Sequence, residues 1–426
     1  MRRRCLIAFT LALSLVVAAL IGGAGGGSST AGAGAPVSTP PPTPVPPFGS
    51  PSPFPTALIT PSPAPRAPRL SAPAAILEDL DTGQVLFQRG AGSRRPVASV
   101  TKVMTALLAL EKLSPGDVVT VGRDATGQTG SKLGLAVGER VTVRNLLYAL
   151  LLQSSNDAAV ALADAVAGSV PTFVQLMNER AGQLGLGNTR FASPNGLDDR
   201  GYSSAADLAT MTREAYERPL FAQIVQTKTW NIPAPSGPTR HIQNRNALLW
   251  LYPGAIGVKT GFTSAAGRCM IATGGRGGMR VLAVVLGERG EPFDDAATLL
   301  NYGLLEFVRV TLIRLGEAVG TVDVQGSPVP AIAGADLSAL IRRDVLGAVK
   351  RSLLGAPGLT LPVAAGALVG TESVSVGGSA FGSVPVAAAT SVPAPSPPPT
   401  ALRGHPLDAV IRLLRALLRA VLQAFL

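Results

Sequence analysis

PVASVTKVMTALLAL, residues Pro96 to Leu110, decides how this chain is read. Val103, Met104, Ala106, Leu107, Leu108 and Leu110 form a wide apolar surface, so the spacing predicts a buried helix. Ser99 and Lys102 stand three apart in its first turn and share a face, which brings the lysine amine within reach of the serine hydroxyl. A buried lysine loses solvation in its charged form; its pKa falls and a neutral amine becomes available as a base. Serine is a weak nucleophile until such a neighbour takes its proton. By itself an S-x-x-K spacing is a weak signal, because a capping serine followed by a solvated lysine is far commoner.

Two further motifs turn the balance. Ser154-Ser155-Asn156, an S-x-N, opens a helix after the apolar LLYALLLQ, and Lys259-Thr260-Gly261 closes the strand AIGVKTG. All three motifs in this order, each at the end of a plausible element, make coincidence a poor explanation. Histidine scarcity agrees. Only His241 and His405 occur, and His241 lies in a polar, loop-like stretch, so a serine hydrolase here would use a base other than histidine. A His-rich zinc site is excluded on ligand count, and no metal or cofactor is expected. Cys5 lies in the N-terminal apolar segment, and Cys269 sits in a strand-like run where a small core residue is expected.

The net charge of +11 invites a nucleic-acid reading, but aromatics are only 4% and the globular part carries no basic stripe. The basic residues gather at the chain ends. Arg2, Arg3 and Arg4 precede the apolar run Leu6 to Ile21, the order of an export signal, with cleavage expected near Ala31 to Ala35 or the segment kept as an anchor. The division expected is a signal or N-terminal membrane segment (1–35), a Pro-rich linker (36–73) and a mixed α/β catalytic domain (74–307). A small β-rich domain (308–390), a second Pro-rich linker (391–406) and an amphipathic helix (407–426) follow. In that helix Asp408, Arg412, Arg415, Arg419 and Gln423 fall on one stripe of an otherwise apolar surface, which suits the surface of a membrane better than a docked partner.

PVASVTKVMTALLALE, LLLQSSNDAAVALA, FASPNGL, YSSAADLA, GVKTGFTSAAGRC and DDAATLLNYG resemble the serine D-alanyl-D-alanine carboxypeptidases, the low-molecular-mass penicillin-binding proteins, over residues 74–307. The β-rich segment and the tail resemble, more weakly, that family's second domain and membrane anchor. The long Pro-rich spacer and the Gly/Ala-heavy β region depart from its commonest pattern. The resemblance implies an α/β (α+β) DD-peptidase/β-lactamase-like fold without a cofactor, exported to the outer face of the bacterial cytoplasmic membrane. It implies a peptidoglycan stem peptide as substrate and β-lactams as inhibitors.

It also implies roles. Ser99 attacks the carbonyl between the last two D-alanines and Lys102 accepts its proton. Ser154 relays the proton to the leaving amine, and Asn156 holds Lys102 and the substrate amide. Lys259 and Thr260 meet the terminal carboxylate, Gly261 lets the strand approach the substrate, and the N–H groups of Ser99 and Phe262 form the oxyanion hole. A serine β-lactamase is the nearest alternative, yet no E-x-x-L-N-like string lies between Ser154 and Lys259. A catalytically idle peptidoglycan-binding protein is a second alternative, opposed by the intact motif residues. Cleavage of cross-links by the same residues stays open.

Overall fold

The computed structural model describes residues 67–235, 237–396 and 406–424. The expected signal, most of the first linker and residues 397–405 lie outside the described residues. β1 (Ala74–Asp79) and β2 (Val85–Arg89) open the fold as a hairpin. Its turn is closed by the Gly83 N–H donating to Asp79 O, with Gly83 at φ +75°, where a side chain would be strained. A 3₁₀ turn, Ala98–Thr101, leads into α1 (Lys102–Lys112), so the expected helix starts later and tighter than its periodicity suggests.

β3 (Val118–Thr120) and β4 (Arg140–Thr142) pair across a long loop that carries α2 (Arg123–Thr126). α3 (Val143–Tyr148) runs through a π turn, Ala149–Gln153, towards α4 (Asn156–Ala167), and α5 (Val170–Gln183), α6 (Ala205–Tyr216) and α7 (Pro219–Val225) follow. A small hairpin of β5 (Thr229–Ile232) and β6 (Arg240–Gln243), together with the one-turn α8 (Leu248–Leu251), precedes β7 (Ala255–Thr263), β8 (Gly267–Arg276), β9 (Met279–Glu288) and α9 (Pro292–Glu306). The Lys-Thr-Gly motif therefore lies inside a strand that runs on to Thr263, because pairing with β8 continues from Thr260 opposite Met270 to Thr263 opposite Gly267.

The central sheet is antiparallel in the order β2-β1-β9-β8-β7. Side chains alternate across it. Ile76, Ile271, Leu282, Val284 and Leu286 join the core shared with α1, α4 and α6, whereas Leu77, Met270, Val281, Ala283 and Val285 pack on Leu299, Leu300 and Leu304 of α9. Both faces are covered, which is why β9 reads as an almost unbroken apolar run although the sheet is antiparallel.

After α9 come β10 (Phe307–Ile313), β11 (Ala318–Val324), β12 (Ser327–Ala333), β13 (Leu337–Arg342), β14 (Val349–Gly355), β15 (Leu368–Val376) and β16 (Ser379–Ala388). They form a five-stranded sheet, β11-β12-β16-β15-β14, around Val322, Val329, Val369 and Val386, and a β10-β13 pair whose Leu312, Ile313, Ala339 and Ile341 pack with Val374 and Val384. α10 (Pro406–Ala424) follows, with Val410, Ile411, Leu413, Leu414, Leu417 and Leu418 exposed. No single helix among the described residues is long and apolar enough to cross a membrane.

One buried acid tests the sheet-to-helix packing. Glu78 of β1 is 5% exposed and stands 3.3 Å from Arg213 Nε, yet neither Glu78 Oε2 nor Arg213 Nε has a hydrogen-bond partner. Burial outweighs the arginine's charge and pushes the carboxyl up to about 7 from its ordinary 4.5. A group held above its unfolded pKa contributes most below about pH 4.5, and that contribution is lost as pH rises through about 7. Glu78→Gln should therefore stabilise the fold at pH 8 by about 2 kcal/mol, allowing for partial screening, and by little at pH 4. Urea melts of both proteins at the two pH values check this; equal shifts at both would refute it.

Candidate active site

The site is built where the 3₁₀ turn, the start of α4 and the middle of β7 converge. Lys102 is fully buried at the start of α1. Its Nζ lies 2.8 Å from Ser99 Oγ, 2.7 Å from Asn156 Oδ1 and 2.7 Å from the Asn195 carbonyl oxygen. Both of the latter oxygens can only accept. In its neutral form the amine has two N–H groups; with both given to these acceptors, its lone pair would face the Ser99 hydroxyl. Burial holds the Lys102 pKa well below the ordinary lysine value; the charges of Lys259 and Arg245 push it further down, and Asp157 opposes them.

Neighbouring groups hold these partners in place. Asn156 donates from its backbone N to Ser131 O (2.7 Å) and from Nδ2 to Thr129 O (2.6 Å). The Asp157 carboxylate, 1% exposed, accepts from the N–H groups of Leu133, Gly134 and Leu135. Asn195 Nδ2 donates to Gln128 Oε1 at 2.8 Å. The Gly-rich loop between β3 and β4 is thus tied to both oxygens that accept from Lys102. Gly196, at φ +76°, packs so tightly on the 3₁₀ turn that a Cβ there would lie 2.0 Å from Ala98 O.

Ser154 follows the π turn in the left-handed region, φ +65°, and lines the cleft with Ser99, Ser131, Thr260, Gly261, Phe262, Arg245 and Arg268. The cleft encloses about 350 Å³. Gly261 is needed for close approach rather than for its backbone angle: a Cβ on it would sit 3.0 Å from Ser99 N and 3.1 Å from Val97 O. Lys259 is buried under the strand with its Nζ donating to Thr260 O at 2.7 Å. Burial, and then the charge of Arg245, lowers its pKa to about 7.

Of the residues singled out by motif, Ser99, Lys102 and Asn156 are joined by hydrogen bonds, and Ser154, Thr260, Gly261 and Phe262 line the same cleft. Lys259 lies behind its wall. Motif reading alone missed Asn195, Asp157 and Arg245. Asp157 directly follows the S-x-N, and Asn195 belongs to the quoted FASPNGL, so both had a positional signal. Arg245, in the polar NRN stretch, had none. The three cysteine-, histidine- or carboxylate-type ligands that a metal needs are not grouped anywhere among the described residues. The arrangement can make a serine nucleophile, take its proton without histidine and bind an anion.

Residues 62–290 match the family model described as D-alanyl-D-alanine carboxypeptidase. The chain is 41% identical over 276 residues to the D-alanyl-D-alanine carboxypeptidase DacD of Salmonella typhimurium, covering 61% of this chain and 69% of that one. It is 35% identical over 262 residues to DacF of Bacillus subtilis, covering 60% and 67%. Among solved structures it resembles penicillin binding protein 5 from Haemophilus influenzae, with a TM-score of 0.67 and 30% identity over 77% of this chain and 99% of that one. It also resembles DacD from Francisella tularensis, with a TM-score of 0.67 and 27% identity over 78% and 96%.

Proposed function

The chain belongs to the D-alanyl-D-alanine carboxypeptidase family, serine hydrolases of the bacterial cell wall, and from that premise we propose that its acyl-enzyme forms on Ser99. The observation that carries this is the fully buried Lys102, 2.8 Å from Ser99 Oγ, whose two other partners can only accept, so that its neutral form would offer its lone pair to Ser99. Ser99 Oγ adds to the carbonyl between the two terminal D-alanines of a stem peptide as Lys102 takes its proton. The oxyanion is held by the N–H groups of Ser99 and Phe262, donors that each contribute ~3 kcal/mol or more to the barrier in such sites. Ser154 passes the proton to the leaving amine, and the C–N bond breaks. Asn156 keeps Lys102 in line and accepts or donates to the substrate amide. Thr260 and Arg245 meet the terminal carboxylate, Lys259 lends positive charge from behind the wall of the cleft, and Gly261 lets β7 lie against the peptide. Water then hydrolyses the ester.

Penicillin would acylate the same oxygen. No carboxylate lines the cleft among the described residues, so no side chain there prepares a water for rapid release of a penicilloyl group, which favours the carboxypeptidase over a β-lactamase. We assign catalysis to residues 74–307, with 308–390 as a separate β-rich module. After export, α10 lies on the outer face of the cytoplasmic membrane, its exposed apolar residues in the headgroup region and Arg415 and Arg419 towards anionic lipid.

Mass spectrometry of the full-length chain in detergent tests this with penicillin and with diacetyl-Lys-D-Ala-D-Ala. A stable adduct on Ser99 and release of one D-alanine, both absent from Ser99→Ala, are expected. The same protein labelled with fluorescent penicillin should sediment with anionic vesicles and stay in solution when residues 407–426 are removed. Rapid penicillin turnover without peptide cleavage would overturn the carboxypeptidase assignment, and tail-independent sedimentation the membrane one.

A further inference from the structure

A cavity of about 650 Å³ opens at the end of the central sheet and shares no residue with the catalytic cleft. Arg95, the turn between β7 and β8 (264–267), Ser71 and Pro73 ahead of β1, and residues 287–289 at the end of β9 line it. We infer that it is a subsite for a carboxylate of the substrate peptide, carried by the third residue before the scissile bond. The inference rests on the acyl-enzyme assignment above.

Charge selects the ligand. Neither Arg95 nor Arg289 takes part in an ion pair among the described residues, and Arg95 Nε is buried without a hydrogen-bond partner. The Arg95 guanidinium lies against Gly287, where a Cβ would come 2.7 Å from Nη1, so the glycine keeps the space that the arginine fills. Glu288 is the one carboxylate on the wall, and the fold already uses it. Its Oε2 accepts from Ser71 Oγ at 2.6 Å, and its Oε1 accepts from the N–H groups of Arg289 and Gly290 at 2.8 and 2.7 Å. On the cleft side of the same turn, Arg268 is committed to Glu291 at 2.9 Å. Two guanidiniums without counter-ions, against one satisfied carboxylate, leave the cavity net positive and suited to an oxyanion.

The direction of the bound peptide brings such a group here. With the terminal carboxylate at Thr260 and Arg245 and the scissile carbonyl at the Phe262 N–H, the residues before the scissile bond run along β7 past Thr263 to the turn. The two residues that precede the acyl D-alanine span ~7 Å when extended, about the length of β7 from Phe262 to Ser264. Arg95 is held close to both. Its backbone N–H donates to Ser203 O at 2.8 Å and its carbonyl accepts from Ser203 N at 2.9 Å, four residues ahead of Ser99. Its charge also reaches the cleft wall: burial pushes the Cys269 thiol up to about 11, opposed by a hydrogen bond at Gly287 and by Arg95. A carboxylate held at this subsite grips the acyl part of the substrate, which the contact at Arg245 does not touch, and the grip outlasts departure of D-alanine.

The test compares three peptides on the full-length chain in detergent. One is diacetyl-Lys-D-Ala-D-Ala. The second is extended at its N-terminus by an acetylated γ-linked glutamate with a free α-carboxylate, and the third carries a carboxamide in place of that carboxylate. The wild type should prefer the carboxylate to the carboxamide by about fivefold or more in kcat/KM. Arg95→Gln and Arg289→Gln should each bring that ratio to within about twofold of one. Arg289→Gln, at an exposed position, should hydrolyse diacetyl-Lys-D-Ala-D-Ala at the wild-type rate. The ratio is taken within each variant, so a loss of folded protein does not alter it. Equal rates of the wild type on carboxylate and carboxamide would overturn the inference, as would a preference that survives both substitutions. Equal rates together with stabilisation by inorganic phosphate that both variants lack would assign the cavity to a separate anion instead. A wild type that cleaves none of the three would remove the acyl-enzyme assignment itself, and this inference with it.

Discussion

Lys102→Met is expected to lower D-alanine release and penicillin acylation together, by about 10³-fold or more, while Ser99 remains in place. General bases of this kind contribute about 10²–10⁴-fold, and among the described residues Lys102 is the side chain hydrogen-bonded to Ser99 Oγ. Lys102→Arg should be equally inactive, because a guanidinium stays protonated and cannot accept the serine proton. That comparison separates loss of a base from loss of a positive charge. The readout is the rate of the Ser99 adduct with penicillin, measured beside the melting temperature. Methionine also leaves Asn156 Oδ1 and the Asn195 carbonyl without their donor, so some destabilisation is expected without being the cause of the lost rate. Retention of a tenth of the wild-type acylation rate by either variant would sink the assignment of Lys102 as the base.

Gly196→Ala is expected to be the most damaging single methyl in the catalytic domain. The position has φ +76°, which costs about 1 kcal/mol for a residue with a Cβ. The added atom would meet Ala98 O at 2.0 Å and Thr101 Oγ1 at 2.9 Å. The first of these is backbone and cannot rotate away, so the 3₁₀ turn itself must move. A total loss of ~3–5 kcal/mol is expected, with activity falling further because that turn carries Ser99. Gly185→Ala is the control. It has φ +70° with nothing within 4 Å of the new Cβ, so it should cost only the backbone term of about 1 kcal/mol and leave activity intact. Chemical denaturation of the two variants gives the comparison. Equal losses would mean that the close approach to Ala98 is not what the glycine serves.

Much of the site could be read because its signals are local. Ser99 and Lys102 are three residues apart, Asn156 lies two beyond Ser154, and both pairs adjoin apolar helices whose periodicity is plain. Strands were legible in the apolar runs of β8 and β9, but the order of the sheet and the helices on its two faces were not. The Asn195 contribution resisted reading for a chemical reason: the group that meets Lys102 is a backbone carbonyl, which any residue type supplies. Arg245 reaches the cleft because its backbone N–H is tied to Leu152 O beside the π turn, a tertiary contact that leaves no pattern in the chain. The end of β7 was misplaced because Gly261 resembles a strand terminator, whereas its real constraint is the space left by Ser99 N and Val97 O.

The strand order has a consequence for how the enzyme comes into being. β1, from the start of the catalytic domain, pairs along its whole length with β9 from near its end, Ala75 opposite Val285 and Leu77 opposite Ala283. β7, which carries Thr260 and Gly261, reaches that sheet only through β8 and β9. A chain emerging from its N-terminus therefore presents Ser99 and Lys102 early but cannot complete the sheet until Glu288 has followed. Closing so long a loop before its contacts form makes folding slow relative to local helix formation. The nucleophile and the strand that carries Thr260 and Gly261 therefore come together only once nearly the whole catalytic domain has been made.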